Sequence, residues 1–209
     1  MRMKHILIYG DSNSFGTAPM RDLTDSPILP RGARWGDQMA SHLGEGYFVT
    51  TEGLPGRTSV FDDPVEGDHL NGLRILPAIL HSHKPIDLLV IALGTNDQKR
   101  KFGLGAIDIA LGMARLVHEA MLSGVVGKVL AICPPAVEVQ GELGDIFEGG
   151  PERAADLPRL MQRSVTREGA LFFDAGQHIR VDPLDGVHWN ADAHKVLGAA
   201  VAKVVRGIV

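Results

Sequence analysis

The sequence predicts a three-layer α/β/α fold built on a five-stranded parallel sheet in the flavodoxin-like order. Three observations carry this. Five short runs, residues 5–10, 47–51, 86–93, 128–133 and 170–174, read as strands, and their apolar character suits a sheet covered on both faces. Stretches at 33–43, 70–83, 105–123, 152–168 and 191–206 read as helices and fall between or after the strands. The alternation of the two types is the pattern of an α/β domain. With 209 residues, the chain fits one domain spanning 1–209.

Taken in order, the first run is His5-Ile6-Leu7-Ile8-Tyr9, and Gly10-Asp11-Ser12 follows it directly. A serine in the turn past a buried strand has its hydroxyl pushed off the sheet edge, where a nucleophile is wanted. A helix N-cap is the rival reading of the same serine. The loop after the second strand carries Gly56, and Lys84-Pro85 closes the helix before the third strand. The third strand runs into Gly94-Thr95-Asn96-Asp97. Helix 105–123 is the clearest of its type, with Ile107, Leu111, Ala114, Val117, His118 and Met121 at helical spacing. Asn190 is the expected N-cap of the last helix. Ligands in such sheets sit at the carboxyl ends of the strands, and the flavodoxin-like order makes strands one and three neighbours. Two long loops, 13–32 and 134–151, leave that edge and are expected to shape a substrate pocket.

Composition narrows the function. The formal net charge is −4, and the only basic run, Lys99-Arg100-Lys101, has no aromatic platform around it. It reads as a solvated loop and not as a nucleic-acid site. No apolar run approaches the roughly 20 residues that span a bilayer, and residues 1–4 lead straight into the first strand, so a cytoplasmic protein without a membrane partner is expected. Cys133, the single cysteine, lies inside an apolar run and reads as a buried, inert thiol. His81 and His83 have no evident third ligand, so no metal is expected. Gly103-Leu104-Gly105 follows no strand and lacks a third glycine, so no dinucleotide loop is expected either. His42, His69 and His194 read as surface or packing residues.

A serine nucleophile needs a base, an orienting acid for that base, and donors for the developing oxyanion. Ser12 is the candidate nucleophile, and His188 the candidate base. Asp185, three residues earlier, can turn back on His188 through Gly186. The backbone N–H groups of Ser12 and Gly56 and the side-chain amide of Asn96 are the candidate oxyanion donors. Asp11 is expected to brace the turn, and Asp97 to be structural. Trp189 reads equally well as core or as pocket wall.

These blocks resemble the SGNH, or GDSL, hydrolases: Gly10-Asp11-Ser12-Asn13-Ser14, Gly53-Leu54-Pro55-Gly56-Arg57-Thr58, Gly94-Thr95-Asn96-Asp97 and Asp185-Gly186-Val187-His188-Trp189, in that order. Within that family the chain is similar to the small bacterial arylesterase and acyltransferase branch. The likeness rests on Arg34-Trp35, Asp62-Asp63-Pro64, Leu70-Asn71-Gly72, the 107–113 segment and Ile146-Phe147-Glu148-Gly149-Gly150. The resemblance implies a small-molecule ester as substrate, with short acyl groups and acetyl above all. It implies transfer through an acyl-serine to water or to a second alcohol, without a cofactor, in a homo-oligomer. Asn13 departs from the leucine common in the family and puts the wall of the acyl pocket in question. The alternatives are a lysophospholipase or thioesterase acting on longer chains, and a non-catalytic carbohydrate-binding protein on the same fold.

Overall fold

A computed structural model of the chain describes residues 2–209; Met1 lies outside it. The five strands are β1 (Lys4–Gly10), β2 (Tyr47–Gly53), β3 (Ile86–Ala92), β4 (Val126–Cys133) and β5 (Leu171–Asp174). All pair in parallel, in the order β2-β1-β3-β4-β5, which is the predicted flavodoxin-like arrangement. The longer helices are α2 (Trp35–Leu43), α3 (Gly72–His83), α4 (Ala106–Leu122), α7 (Leu157–Arg167) and α8 (Ala191–Ile208). Three single-turn helices, α1 (Ser12–Phe15), α5 (Gly144–Phe147) and α6 (Gly150–Arg153), lie in the loops.

The strand residues divide by parity, as a period of two requires. Leu7, Tyr9, Leu89, Ile91, Val129 and Ala131 face a core shared with α3, α4 and α7. Ile6, Ile8, Leu88, Val90, Leu130 and Ile132 face a second core shared with α2 and α8. Both faces are covered, which is why these runs are apolar without alternation.

One predicted element is corrected, and one turn proves helical. The helix expected over 152–168 is broken into α6 and α7. Pro158 sits in the first turn of α7, where its missing N–H is tolerated, so it starts a helix instead of continuing one. The turn after β1 is itself helical. Asp11 caps α1 by accepting the N–H of Asn13, so the cap is Asp11 and not Ser12. Asn190 caps α8 as expected, through the N–H of Ala193.

Register positions the functional edge. Gly10 pairs with Gly53 on one side and with Ala92 on the other. Three strands therefore end level, and the segments after them emerge side by side. Gly10 has to be glycine, because a Cβ there would stand 2.1 Å from Ser14 Oγ.

His194 is wholly buried and accepts the backbone N–H of Trp35 at Nδ1 over 3.0 Å; its Nε2 has no partner. Burial, then the charges of Arg34 and His188, hold this imidazole down to about 4. Between pH 6.5 and about 4 the unfolded chain binds a proton that the folded chain refuses, so acid removes up to about 3 kcal/mol of stability through this group. Buried Asp11 and Asp97, pushed up to about 6, act oppositely over an overlapping range, since the folded state protonates them first. His194→Gln removes the first contribution alone. In urea titrations at pH 7 and pH 4.5 the change in stability on acidification is expected to be more favourable in the variant than in the parent; equal changes would show that His194 is not held down by the fold.

Candidate active site

The chain leaves β1 at Gly10 and turns at once into α1, which sets Ser12 on the sheet edge. Ser12 Oγ lies 3.1 Å from His188 Nε2, and His188 Nδ1 lies 2.7 Å from Asp185 Oδ2. All three residues are buried. The ionised carboxylate only accepts, so Nδ1 carries the ring proton and Nε2 is left to accept from the serine hydroxyl.

Asp185 holds more than the ring. Its Oδ1 accepts the backbone N–H groups of Val187 and His188, both at 2.9 Å, and Oδ2 also accepts the N–H of Met20 at 2.8 Å. Burial pushes this carboxyl up, but the His188 bond and charge, with the N–H groups of His188 and Met20, bring it below the usual carboxylate range. The turn between Asp185 and His188 needs Gly186, whose φ is +72° and whose Cβ would meet the carbonyl oxygen of Glu138 at 2.1 Å. Loop 134–151 packs directly on this turn, and Glu138 donates its N–H to the Gly186 carbonyl.

The three candidate oxyanion donors converge on one cavity. Ser12, Gly56 and Asn96 line it together with His188. Asn96 donates one amide hydrogen to the Arg57 carbonyl at 3.0 Å, which fastens the segment after β3 to the segment after β2 and leaves its second hydrogen available. Arg57 braces the same junction: it donates to the Gly10 carbonyl at 2.7 Å, and its guanidinium lies 4.0 Å from the centre of the Tyr9 ring. Asp97 accepts from both the N–H and the hydroxyl of Ser59, a structural use of its carboxylate.

The cavity holds about 290 Å³. Thr17, Met20 and Leu23 from loop 13–32 form one wall, and Leu143, Ile146 and Phe147 form another, so both long loops shape it. Two sequence expectations change here. Asn13 does not line this cavity: it is buried, and its amide accepts the N–H of Trp189 at 3.2 Å and donates to the Val187 carbonyl at 3.4 Å, gripping the chain on both sides of His188. A polar side chain enclosed here needs partners, and the backbone of the His188 loop supplies them. Trp189 packs in the core beneath α8 and is no part of this cavity wall.

Lys99 is a third change. It is buried and lines the cavity, paired with Glu66, instead of extending into solvent. The acidic segment Asp62-Asp63…Glu66 was the available signal, an opposite charge for the basic run. The bracing role of Arg57 and the Met20 N–H contact had none, since in each the group at one end of the contact belongs to the backbone. Among the described residues, no group of three His, Cys, Asp or Glu side chains is placed to hold a metal ion, and no helix is long and apolar enough to cross a membrane.

Residues 8–196 match the GDSL-like lipase/acylhydrolase family. No curated protein sequence matches the chain. Among solved structures, the native aryl esterase of M. smegmatis is 38% identical, covers 99% of this chain and 100% of its own, and superposes with a TM-score of 0.93. Est24, a carbohydrate acetylesterase from Sinorhizobium meliloti, is 37% identical over 99% of this chain and 100% of its own, with a TM-score of 0.90. A lipase/acylhydrolase from Enterococcus faecalis, 20% identical over 98% of this chain and 96% of its own, shares the fold at a TM-score of 0.69.

The short His188–Asp185 contact is expected to give one strongly deshielded proton resonance in the ¹H NMR spectrum. Asp185→Ala should abolish it. Asn13→Leu, which releases both flanks of His188, should broaden it through exchange with water; an unchanged line width would show that the Asn13 amide does not hold the ring.

Proposed function

The chain belongs to the GDSL-like lipase/acylhydrolase family, and we propose that it is a serine esterase hydrolysing short-chain acyl esters, acetyl above all, of sugars, aryl alcohols or other small alcohols. The observation that carries this is the continuous relay from Ser12 Oγ through His188 to Asp185, opening into a cavity that also presents Gly56 and Asn96. The aryl esterase and the carbohydrate acetylesterase, each more than a third identical over almost the whole chain, support the same chemistry.

In this reading His188 takes the proton of Ser12 as the hydroxyl attacks the ester carbonyl. The carbonyl oxygen becomes an oxyanion held by the N–H groups of Ser12 and Gly56 and by the Asn96 amide. Asp185 orients His188 and stabilises its imidazolium without taking the proton. His188 then protonates the departing alcohol. Water, activated by the same histidine, releases the acid from the acyl-serine; a second alcohol in its place gives acyl transfer. The apolar wall formed by Met20, Leu143, Ile146 and Phe147 supports that option, because it limits water around the intermediate.

The cavity volume favours short acyl chains. At about 290 Å³ it lies near the lower end of small-molecule sites, roughly 300–1,000 Å³. A homo-oligomer joined through the rims of the two long loops fits the exposed Leu23, Ile28 and Val139 there, and a monomer in sedimentation would end that part of the proposal.

Hydrolysis of 4-nitrophenyl acetate, butyrate and octanoate tests the whole. Acetate is expected to turn over fastest. Ser12→Ala is expected to lose about ten-thousandfold or more in kcat, and Asn96→Ala about a hundred- to thousandfold. Rates rising toward octanoate would favour a long-chain lipase or thioesterase, and equal rates in parent and Ser12→Ala would leave a binding protein on this fold.

A further inference from the structure

The cavity at Ser12 is not apolar all round. Lys99, with its side chain only 8% exposed, lines it, and Nζ lies 2.7 Å from Glu66 Oε1. Lys101 reaches the same oxygen at 2.6 Å and also pairs with Asp63, whose side chain is wholly buried. Two ammonium groups thus meet two carboxylates, and the cluster is neutral. Glu66 also lines the cavity. Its second oxygen, Oε2, accepts no hydrogen bond from the described residues and stands 3.2 Å from where a Cβ on Gly56 would be, beside a candidate oxyanion donor.

The free valences decide what this wall can bind. An ammonium has three donors, and the Glu66 contact uses one of those on Lys99. Glu66 Oε2 offers acceptor sites next to them. A donor and an acceptor side by side complement hydroxyl groups, each of which both donates and accepts. An anionic alcohol would face Glu66, and a cationic one would face Lys99. A purely apolar alcohol would strip water from both without replacing it. There is also room: past Glu66 and Ile146 the cavity adjoins a second hollow of about 490 Å³, bounded in part by Arg100, Lys101 and Asp145.

We propose that Lys99 and Glu66 form the alcohol subsite and select esters of a neutral, polyhydroxylated alcohol, the chemistry of a monosaccharide. This rests on the reading of Ser12 as the nucleophile.

The test compares two esters of similar size, glucose 6-acetate and cyclohexylmethyl acetate, which differ in ring hydroxyl groups. The ratio of their kcat/KM values is measured for the parent, Glu66→Gln and Lys99→Met. The parent is expected to favour the sugar ester, and the ratio is expected to fall about tenfold or more in each variant, the loss of a hydrogen bond to a charged group. A parent preference for the cyclohexylmethyl ester overturns the proposal, as does a ratio that moves less than threefold in both variants. Glu66 is 42% exposed, so Glu66→Gln carries the test should Lys99→Met fail to fold. Ser12→Ala is run beside them: turnover of either ester by that variant overturns the serine-esterase reading itself, which the ratios do not touch.

Discussion

A carboxylate enclosed by protein has to be satisfied at both oxygens, and the arrangement of this site follows from how Asp185 is satisfied. Four N–H groups converge on it: two from its own turn, one from the His188 ring and one from Met20. The first two fold the chain back so that position 188 faces position 12. The third leaves the proton on Nδ1 and so frees Nε2. The fourth draws in a loop nearly 170 residues away in sequence. One buried charge thereby sets a turn, a tautomer and a pocket wall.

The sheet supplies what the carboxylate cannot. Parallel strands ending level at Gly10, Gly53 and Ala92 deliver three separate segments to one place. Arg57 and Asn96 then lock those segments to each other through backbone carbonyls. The segments that bring Ser12, Gly56 and Asn96 to the cavity are thus held by the frame and do not depend on a ligand to order them. The fit of α1 against the ends of β1 and β2 leaves no space for a side chain at Gly10 or Gly53.

Much of this was legible in the chain. Unbroken apolar runs disclosed a sheet buried on both faces, and Ser12, Gly56 and Asn96 just past strand ends, with Asp185 and His188 in the loop before the last helix, disclosed where a site would gather. What was not legible depends on the direction of a side chain after packing. Asn13 stands where the family commonly carries leucine, and that departure suggested a pocket wall; α1 turns it the other way, into the backbone around His188. Lys99 sits in a basic run, and such runs are usually solvated; the Glu66 carboxylate, more than thirty residues away, folds it inward, while Asp63 and Glu66 hold Lys101. Pro158 falls inside the helix predicted over 152–168, whereas its missing N–H starts a new helix there.

The contact from Met20 to Asp185 is made by a peptide group and not by a side chain. Nineteen of the twenty residue types carry that group. The wall of the cavity is therefore open to change at the very position that touches Asp185: bulk, polarity and shape at 20 are free to drift while the carboxylate keeps its fourth donor. Only proline is barred. A lineage of such chains can reshape this wall of the cavity without first having to rebuild the contacts beneath it.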